Sequence, residues 1–246
     1  MASVYHLSFD ITDLHADCFG RLKPSSILYF VQEAAGKHWQ HIEGETQQAC
    51  SLYWVIIRHR VQISRLPRRG ETIRLETWPM PTTRVAYPRS VVAYDANGGE
   101  LFRSISLWVL MDPQSRAMVL PGKSGITVNG ILQGGELPSP ASLAPVTLAD
   151  ESLRTVRFTD LDVNDHMNNA RYLDWLMDLL PGSFHKTHVI RDMTLGYMAE
   201  ATEGDGLLQQ WQLEENGHLR LEILRPGGEK NHRIFGADVQ FDADFL

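Results

Sequence analysis

A chain of 246 residues, 43% of them hydrophobic, suits one large domain or two small ones, each able to bury a real core. Its formal net charge of −7 argues against a general nucleic-acid binder, whose surface would be basic. The cysteines, Cys18 and Cys50, are too few for a disulfide scaffold and form no metal-binding pattern, so both are expected as buried thiols in a reducing compartment.

The opening residues lack a basic segment followed by an apolar stretch, and no Arg-rich leader precedes the first strand-like run. Apolar runs such as Trp108 to Met111 are too short to cross a bilayer, which leads to an expectation of a soluble, cytoplasmic protein without a membrane span. Val4 to Ile11 alternates as a strand. Ile27, Leu28, Phe30, Val31, Ala34 and Ala35 then recur at helical spacing, behind Ser25 and Ser26 as candidate caps, in a helix reaching about Ile42. Its apolar side is broad, so the helix is expected to be buried. Strands are predicted over Tyr53 to Ile63, Thr72 to Trp78, Arg89 to Tyr94 and Leu101 to Met111, with a hairpin turn at Asp95-Ala96-Asn97-Gly98-Gly99. One helix followed by an antiparallel run of strands means an α+β fold, a sheet curled around a helix.

From Asp112 to Asp150, prolines and glycines punctuate a connection, with a short helix expected near 126–132. The first pattern then returns. A short strand is predicted over Thr155 to Phe158, a helix through Tyr172, Leu173, Leu176, Met177, Leu179 and Leu180 up to Pro181-Gly182, and strands over Val189 to Ala199, Leu207 to Glu214, His218 to Leu224 and Ile234 to Phe241. Arg65 to Thr72 has a loose echo in Glu200 to Gly206, at a similar distance past each helix. Two copies of one strand–helix–sheet unit are therefore expected, residues 1–135 and 136–246.

The segment Thr159-Asp160-Leu161-Asp162-Val163-Asn164-Asp165-His166-Met167-Asn168-Asn169 carries the chemistry. Read as an extended chain, it projects Asp162, Asn164 and His166 to one side, while Leu161, Val163 and Met167 pack on the other. An imidazole accepts a proton near neutrality, a carboxylate orients it, an amide positions water or a carbonyl, and helix-start N–H groups suit an oxyanion. That set fits thioester hydrolysis without an activated serine. Spacing alone favours a turn and a cap over catalysis, and Asn168 and Asn169 are better read as caps. No Gly-x-Ser-x-Gly elbow, His-Glu-x-x-His motif or phosphate loop occurs, and no cofactor or metal is implied.

Leu161-Asp162-Val163-Asn164-Asp165-His166-Met167-Asn168-Asn169, with Tyr172 and Trp175, closely resembles the signature of the acyl-acyl carrier protein (acyl-ACP) thioesterases of plants and bacteria. Met193-Thr194-Leu195-Gly196-Tyr197-Met198-Ala199-Glu200 and Trp108-Val109-Leu110-Met111-Asp112 with Arg116 and Pro121 agree. The resemblance implies two tandem hotdog modules, each a long helix wrapped by an antiparallel sheet, the first holding the acyl chain and the second the chemistry. It places catalytic roles on Asp162, Asn164, His166 and Glu200. In the preferred version Glu200 and His166 activate water while Asp162 and Asn164 orient; a nucleophilic carboxylate forming an anhydride is the competing version. Ala201 stands where many plant members carry cysteine, which excludes a cysteine nucleophile there. The plant members' N-terminal extension and hydrophobic anchor are also missing, so a bacterial cytosolic enzyme of fatty acid biosynthesis is expected.

The implied partner is an acyl carrier protein, which is acidic; no nucleic acid is expected, and a homodimer is left open. Arg58, Arg60, Arg65, Arg68, Arg69 and Arg74 form either its docking surface or a solvated hairpin. Trp39, Tyr53 and Trp54 are candidate tunnel walls. The alternatives are an acyl-CoA thioesterase of the same architecture and a non-catalytic acyl-thioester-binding module.

Overall fold

The computed structural model of the protein describes residues 4–46, 51–146, 150–227 and 231–243; Cys50 lies outside them. It divides into two compact units, Met1–Pro140 and Ala141–Leu246.

The first unit contains β1 (Tyr5–Asp10), α1 (Pro24–Thr46), β2 (Tyr53–Ile63), β3 (Thr72–Pro79), β4 (Tyr87–Tyr94), β5 (Glu100–Met111), the two-residue β6 (Met118–Val119) and a single turn, α2 (Pro121–Ser124). Its strands pair antiparallel in the order β1-β3-β4-β5-β2, with β6 beside β5. Helix α1 starts at Pro24, where a missing N–H costs nothing. Ser26 does not cap it: its hydroxyl donates to the His15 carbonyl at 3.2 Å from inside the first turn. Ile27, Val31, Ala34 and His38 recur on one stripe, all buried. Phe30 stacks on Phe9 of β1, with centroids 4.4 Å apart. Burial of each large apolar side chain on that stripe contributes about 1.5–3 kcal/mol.

Strand β4 is buried at every position from Tyr87 to Ala93, although an antiparallel strand with one wet face would alternate. Arg89 meets α1 through His38, while Ser90 and Val92 face the stretch 133–137 on the other side. The connection is thus no free linker; it folds back as a cover. The Ile131 N–H donates to the Pro79 carbonyl at 2.9 Å, and Arg58 donates to the Pro140 carbonyl at 3.3 Å. At Gly130 a Cβ would sit 2.0 Å from the Met80 carbonyl carbon, so only glycine permits the approach. The helix expected near 126–132 is therefore absent: Gly125, at φ 73°, ends α2, and the backbone beyond it is engaged with Pro79.

The second unit contains β7 (Asp150–Thr155), a 3₁₀ turn (Phe158–Asp160), α3 (Arg171–Met177), α4 (Gly182–Thr187), β8 (His188–Tyr197), β9 (Gly206–Leu213), β10 (His218–Arg225) and β11 (His232–Ala243). Its antiparallel order is β7-β9-β10-β11-β8. In both units the order is therefore first strand, third, fourth, fifth, second, with the helix inserted after the first. The repeat expected from a faint echo is complete at the level of topology, and each unit is a hotdog module. The strand expected over Thr155 to Phe158 lies earlier, and Phe158 begins the 3₁₀ turn. The second helix is not long: α3 has seven residues. Leu179 and Leu180 make tighter bonds to Leu176 and Met177, since the ring of Pro181 excludes a continuing helix against the Met177 carbonyl. Tyr172, Leu173, Trp175 and Leu176 of α3 are buried, and Tyr172 stacks on Phe235 at 4.7 Å.

Cys18 is exposed, against the expectation of a buried thiol; it lies in the turn in which Asp17 accepts from the Phe19 and Arg21 N–H groups.

Candidate active site

The segment from Leu161 to Met167 does not run extended. Leu161 and Met167 face each other across an antiparallel bridge, and the Asp162 N–H donates to the His166 carbonyl at 2.8 Å. Between them the chain turns back on itself: the Asp165 N–H reaches the Asp162 carbonyl at 3.1 Å, and Asp165 is left-handed at φ 64°. The Asp162 carboxylate accepts the Asn164 N–H at 2.8 Å, an Asx turn. Side-chain competition for backbone donors thus overrides the alternation expected of a strand end. Val163 is fully exposed at the tip rather than packed, Asn164 is exposed beside it, and Met167 is buried.

Hydrogen bonds hold this loop at its base, at its side and beyond it. At its base the buried Asp160 carboxylate accepts from the Arg157 N–H (3.0 Å) and from the Arg171 guanidinium (3.2 and 3.3 Å), joining the loop to α3. The Asn168 N–H donates to the Asp160 carbonyl at 2.9 Å. At its side the Met167 N–H donates to the carbonyl of buried Ala201 at 2.8 Å, which sets His166 beside Glu200. Beyond it the Tyr197 hydroxyl donates to the Asn169 carbonyl at 3.2 Å, and burial raises the Tyr197 phenol's pKa, so it stays a neutral donor. Arg225 donates to the Glu200 carbonyl and to the Asp205 carboxylate, each at 2.7 Å, and fixes the loop after β8.

The result is one ionisable pair: His166 Nε2 lies 3.4 Å from Glu200 Oε2, with side chains 22% and 34% exposed, open enough for water to reach. Asp162 adjoins His166 through the backbone, and Asn164 occupies the tip. Asn168 does not cap α3, against expectation: its side-chain oxygen takes the Ala170 N–H at 2.9 Å, an Asx turn leading into the helix, and Ala170 at the helix boundary makes no side-chain cap bond. That contact and the Arg171 and Leu173 N–H bonds occupy helix-start donors expected for an oxyanion, and α3 is too short to replace them. Asp160, Arg171 and Arg225 had no role in the sequence reading. A buried carboxylate eleven residues before an arginine on the next helix has no local signature. Among the described residues, no group of three or more His, Cys, Asp or Glu side chains could hold a metal, and no helix is long and apolar enough to cross a membrane.

The first unit holds a cleft of about 550 Å3, counting its open mouth, between Gly36 and Trp39 of α1 and Trp54, Tyr87, Arg89 and Trp108 of the sheet. Trp54 meets Trp39 and Tyr87 edge to face, at 5.0 and 4.9 Å. Of the expected walls, Trp39 and Trp54 line it and Tyr53 does not. The arginine hairpin carries its own counter-charges: Arg65 pairs with Glu71 at 2.8 Å, Arg69 with Asp13 at 2.9 Å, and Arg74 with Glu76. For these three the pattern is that of solvated, neutralised charges rather than a bare basic patch.

Two hotdog modules of identical strand order, the second pairing His166 of an Asx-turn loop with Glu200 of the segment after β8, define the class. The acyl-ACP thioesterase N-terminal domain model matches residues 2–120 and the C-terminal domain model residues 145–237; the chain belongs to this family. It is 28% identical over 210 residues to a chloroplastic dodecanoyl-acyl-carrier-protein hydrolase of Cinnamomum camphora, covering 75% of this chain and 52% of that protein. It is also 28% identical over 226 residues to a chloroplastic palmitoyl-acyl carrier protein thioesterase of Gossypium hirsutum, covering 84% and 54%. The chain thus spans about half the length of these relatives. An acyl-ACP thioesterase structure from Bacteroides thetaiotaomicron shares the fold at a TM-score of 0.84 and 21% identity, over 97% of this chain and 98% of that one. So does the 12:0-ACP thioesterase of Umbellularia californica, at 0.79 and 24% identity, over 98% of each chain.

Proposed function

We propose that the chain hydrolyses fatty acyl thioesters carried on acyl carrier protein, releasing free fatty acid and the carrier thiol. The reading rests on the His166–Glu200 pair at 3.4 Å, held beside the Asp162 turn in a chain of this family. A water against that pair loses a proton to it as its oxygen attacks the thioester carbon. The same pair returns the proton to the departing sulfur. One water is consumed, and an acid and a thiol result. An imidazole beside a carboxylate can take up a proton in one step and give it back in the next. Asp162 holds the loop's shape and adds negative charge beside the proton acceptor, and the exposed amide of Asn164 orients the carbonyl or the water. The aromatic cleft of the first unit takes the acyl chain.

The test is thiol release from acyl-ACP and acyl-CoA of one chain length, with His166→Ala and Glu200→Gln alongside. Each substitution is expected to lower turnover by about 10²–10⁴ with circular dichroism unchanged. Faster turnover of acyl-CoA would move the carrier to coenzyme A, and binding without any acid release would leave only an acyl-binding module. Retained activity in both variants would remove the pair from the chemistry.

A further inference from the structure

The acyl cleft is not a plain hydrocarbon slot. Arg89, 7% exposed, enters it from β4 between Tyr87 and the helix. Its Nη1 donates to His38 Nδ1 at 3.0 Å and to Thr77 Oγ1 at 3.1 Å, two neutral partners. Among the described residues no carboxylate pairs with it, whereas Arg65, Arg69, Arg74, Arg103 and Arg154 on the exposed surface all have one. Burial pulls the guanidinium down only to about 10, so it stays charged at neutral pH. The imidazole is held well below its usual range by burial and by the Arg89 charge, so it accepts rather than competes. Gln32, on the same cleft, has its Nε2 buried with no partner among the described residues. A buried, unpaired cation and a spare amide donor inside a tryptophan-walled cleft are costly to leave unmet. A simple alkyl end would leave them so.

We infer that the cleft is built to receive a carboxylate at the end of an alkyl chain, with Arg89 and Gln32 holding the head group and Trp39, Trp54 and Trp108 lying along the chain. A planar fork of N–H donors suits a carboxylate better than any neutral oxygen, and the aromatic walls suit the aliphatic stem. The site concerns binding, so its fate is separate from that of the hydrolytic reading.

The experiment titrates the intact protein with dodecanoate, methyl dodecanoate and dodecanol below their aggregation limits, read by tryptophan fluorescence and calorimetry, with no turnover required. Dodecanoate is expected to bind about tenfold or more tighter than its methyl ester. Arg89→Met is expected to erase that preference while ester binding changes little, and Arg89→Lys to restore part of it. Equal affinity of acid and ester for the unaltered chain overturns the site, whether or not Arg89→Met folds, and so does an equal loss of both ligands in that variant. The head group has two sources, a released fatty acid or the far end of a dicarboxylic acyl chain. Displacement of a bound fluorescent fatty acid by dodecanoate reads the first. Faster hydrolysis of an ω-carboxyacyl thioester than of the plain acyl thioester of equal length reads the second.

Discussion

Asp165 adopts φ 64°, in the left-handed region that a side chain tolerates poorly and that Asp, Asn and Gly tolerate best. The turn it closes carries His166 on its far side, so a substitution there tests shape apart from charge. Asp165→Gly should leave both stability and turnover close to those of the parent. Asp165→Val should cost about 1–2 kcal/mol in urea unfolding and lower turnover, because the β-branched residue forces the turn open. Equal stability of the two variants would show that the turn is not under this constraint. Asp162 makes the complementary comparison. Its carboxylate caps the Asn164 N–H, a bond that asparagine also makes. Asp162→Asn therefore keeps the loop and removes the charge, whereas Asp162→Ala removes both. If the charge matters to the chemistry, both variants lose turnover while only Asp162→Ala loses stability, by about 1 kcal/mol. Full activity in Asp162→Asn would reduce the residue to a turn former.

The Asp160–Arg171 tie acts between elements, joining the 3₁₀ turn to α3 beneath the site. Asp160→Ala leaves the Arg157 N–H without its acceptor and takes one of two carboxylates from Arg171, which keeps Asp174 at 2.7 Å, and should cost about 1–3 kcal/mol. On α1, Gly36 lines the cleft with open space where a Cβ would stand. Gly36→Ala should stabilise by about 0.5–1 kcal/mol through helix propensity, while Gly36→Leu should fill the cleft and shift turnover toward shorter chains. An unchanged chain-length profile for Gly36→Leu would mean the acyl chain lies elsewhere. Elements of this kind differ in how far their sequence betrays them. Strand β2 was legible to the residue, Tyr53–Ile63, because aromatic and β-branched side chains crowd it and turn formers bound it. The loop at Leu161–Met167 was legible in composition but not in shape. Alternation presumes an extended chain, and Asp162, Asn164 and Asp165 are the residues that most readily abandon one. The grouping of His166 with Glu200 came from family resemblance alone, since the contact depends on the Met167–Ala201 bond between segments far apart in sequence.

At the scale of the whole molecule the two units share a strand order but not an interior, and the difference is one of protons. Among the described residues the histidines buried in the fold, His38 and His59, both belong to the first unit. Burial lowers each from 6.5 to about 4, helped at His38 by the charges of Arg89 and His41. Both are therefore neutral in the folded unit at neutral pH, while an unfolded chain protonates them near 6.5. Between these values the unfolded state binds the additional protons. The stability they contribute is complete above about 6.5 and is lost as pH falls toward about 4, with a slope of up to two protons. The loss is specific to the first unit. Among the described residues His59 has Ser104 at 3.1 Å and no carboxylate to welcome its charge, and His38 faces a guanidinium. Hydrogen exchange stepped from pH 7 to pH 5 should therefore expose the amides of α1 and β2–β5 ahead of those of β8–β11. His59→Gln keeps a neutral partner for Ser104 without a titrating proton, and should flatten that dependence. Simultaneous loss of protection in both units, or an unaltered pH profile in His59→Gln, would place the acid-sensitive step outside these buried imidazoles.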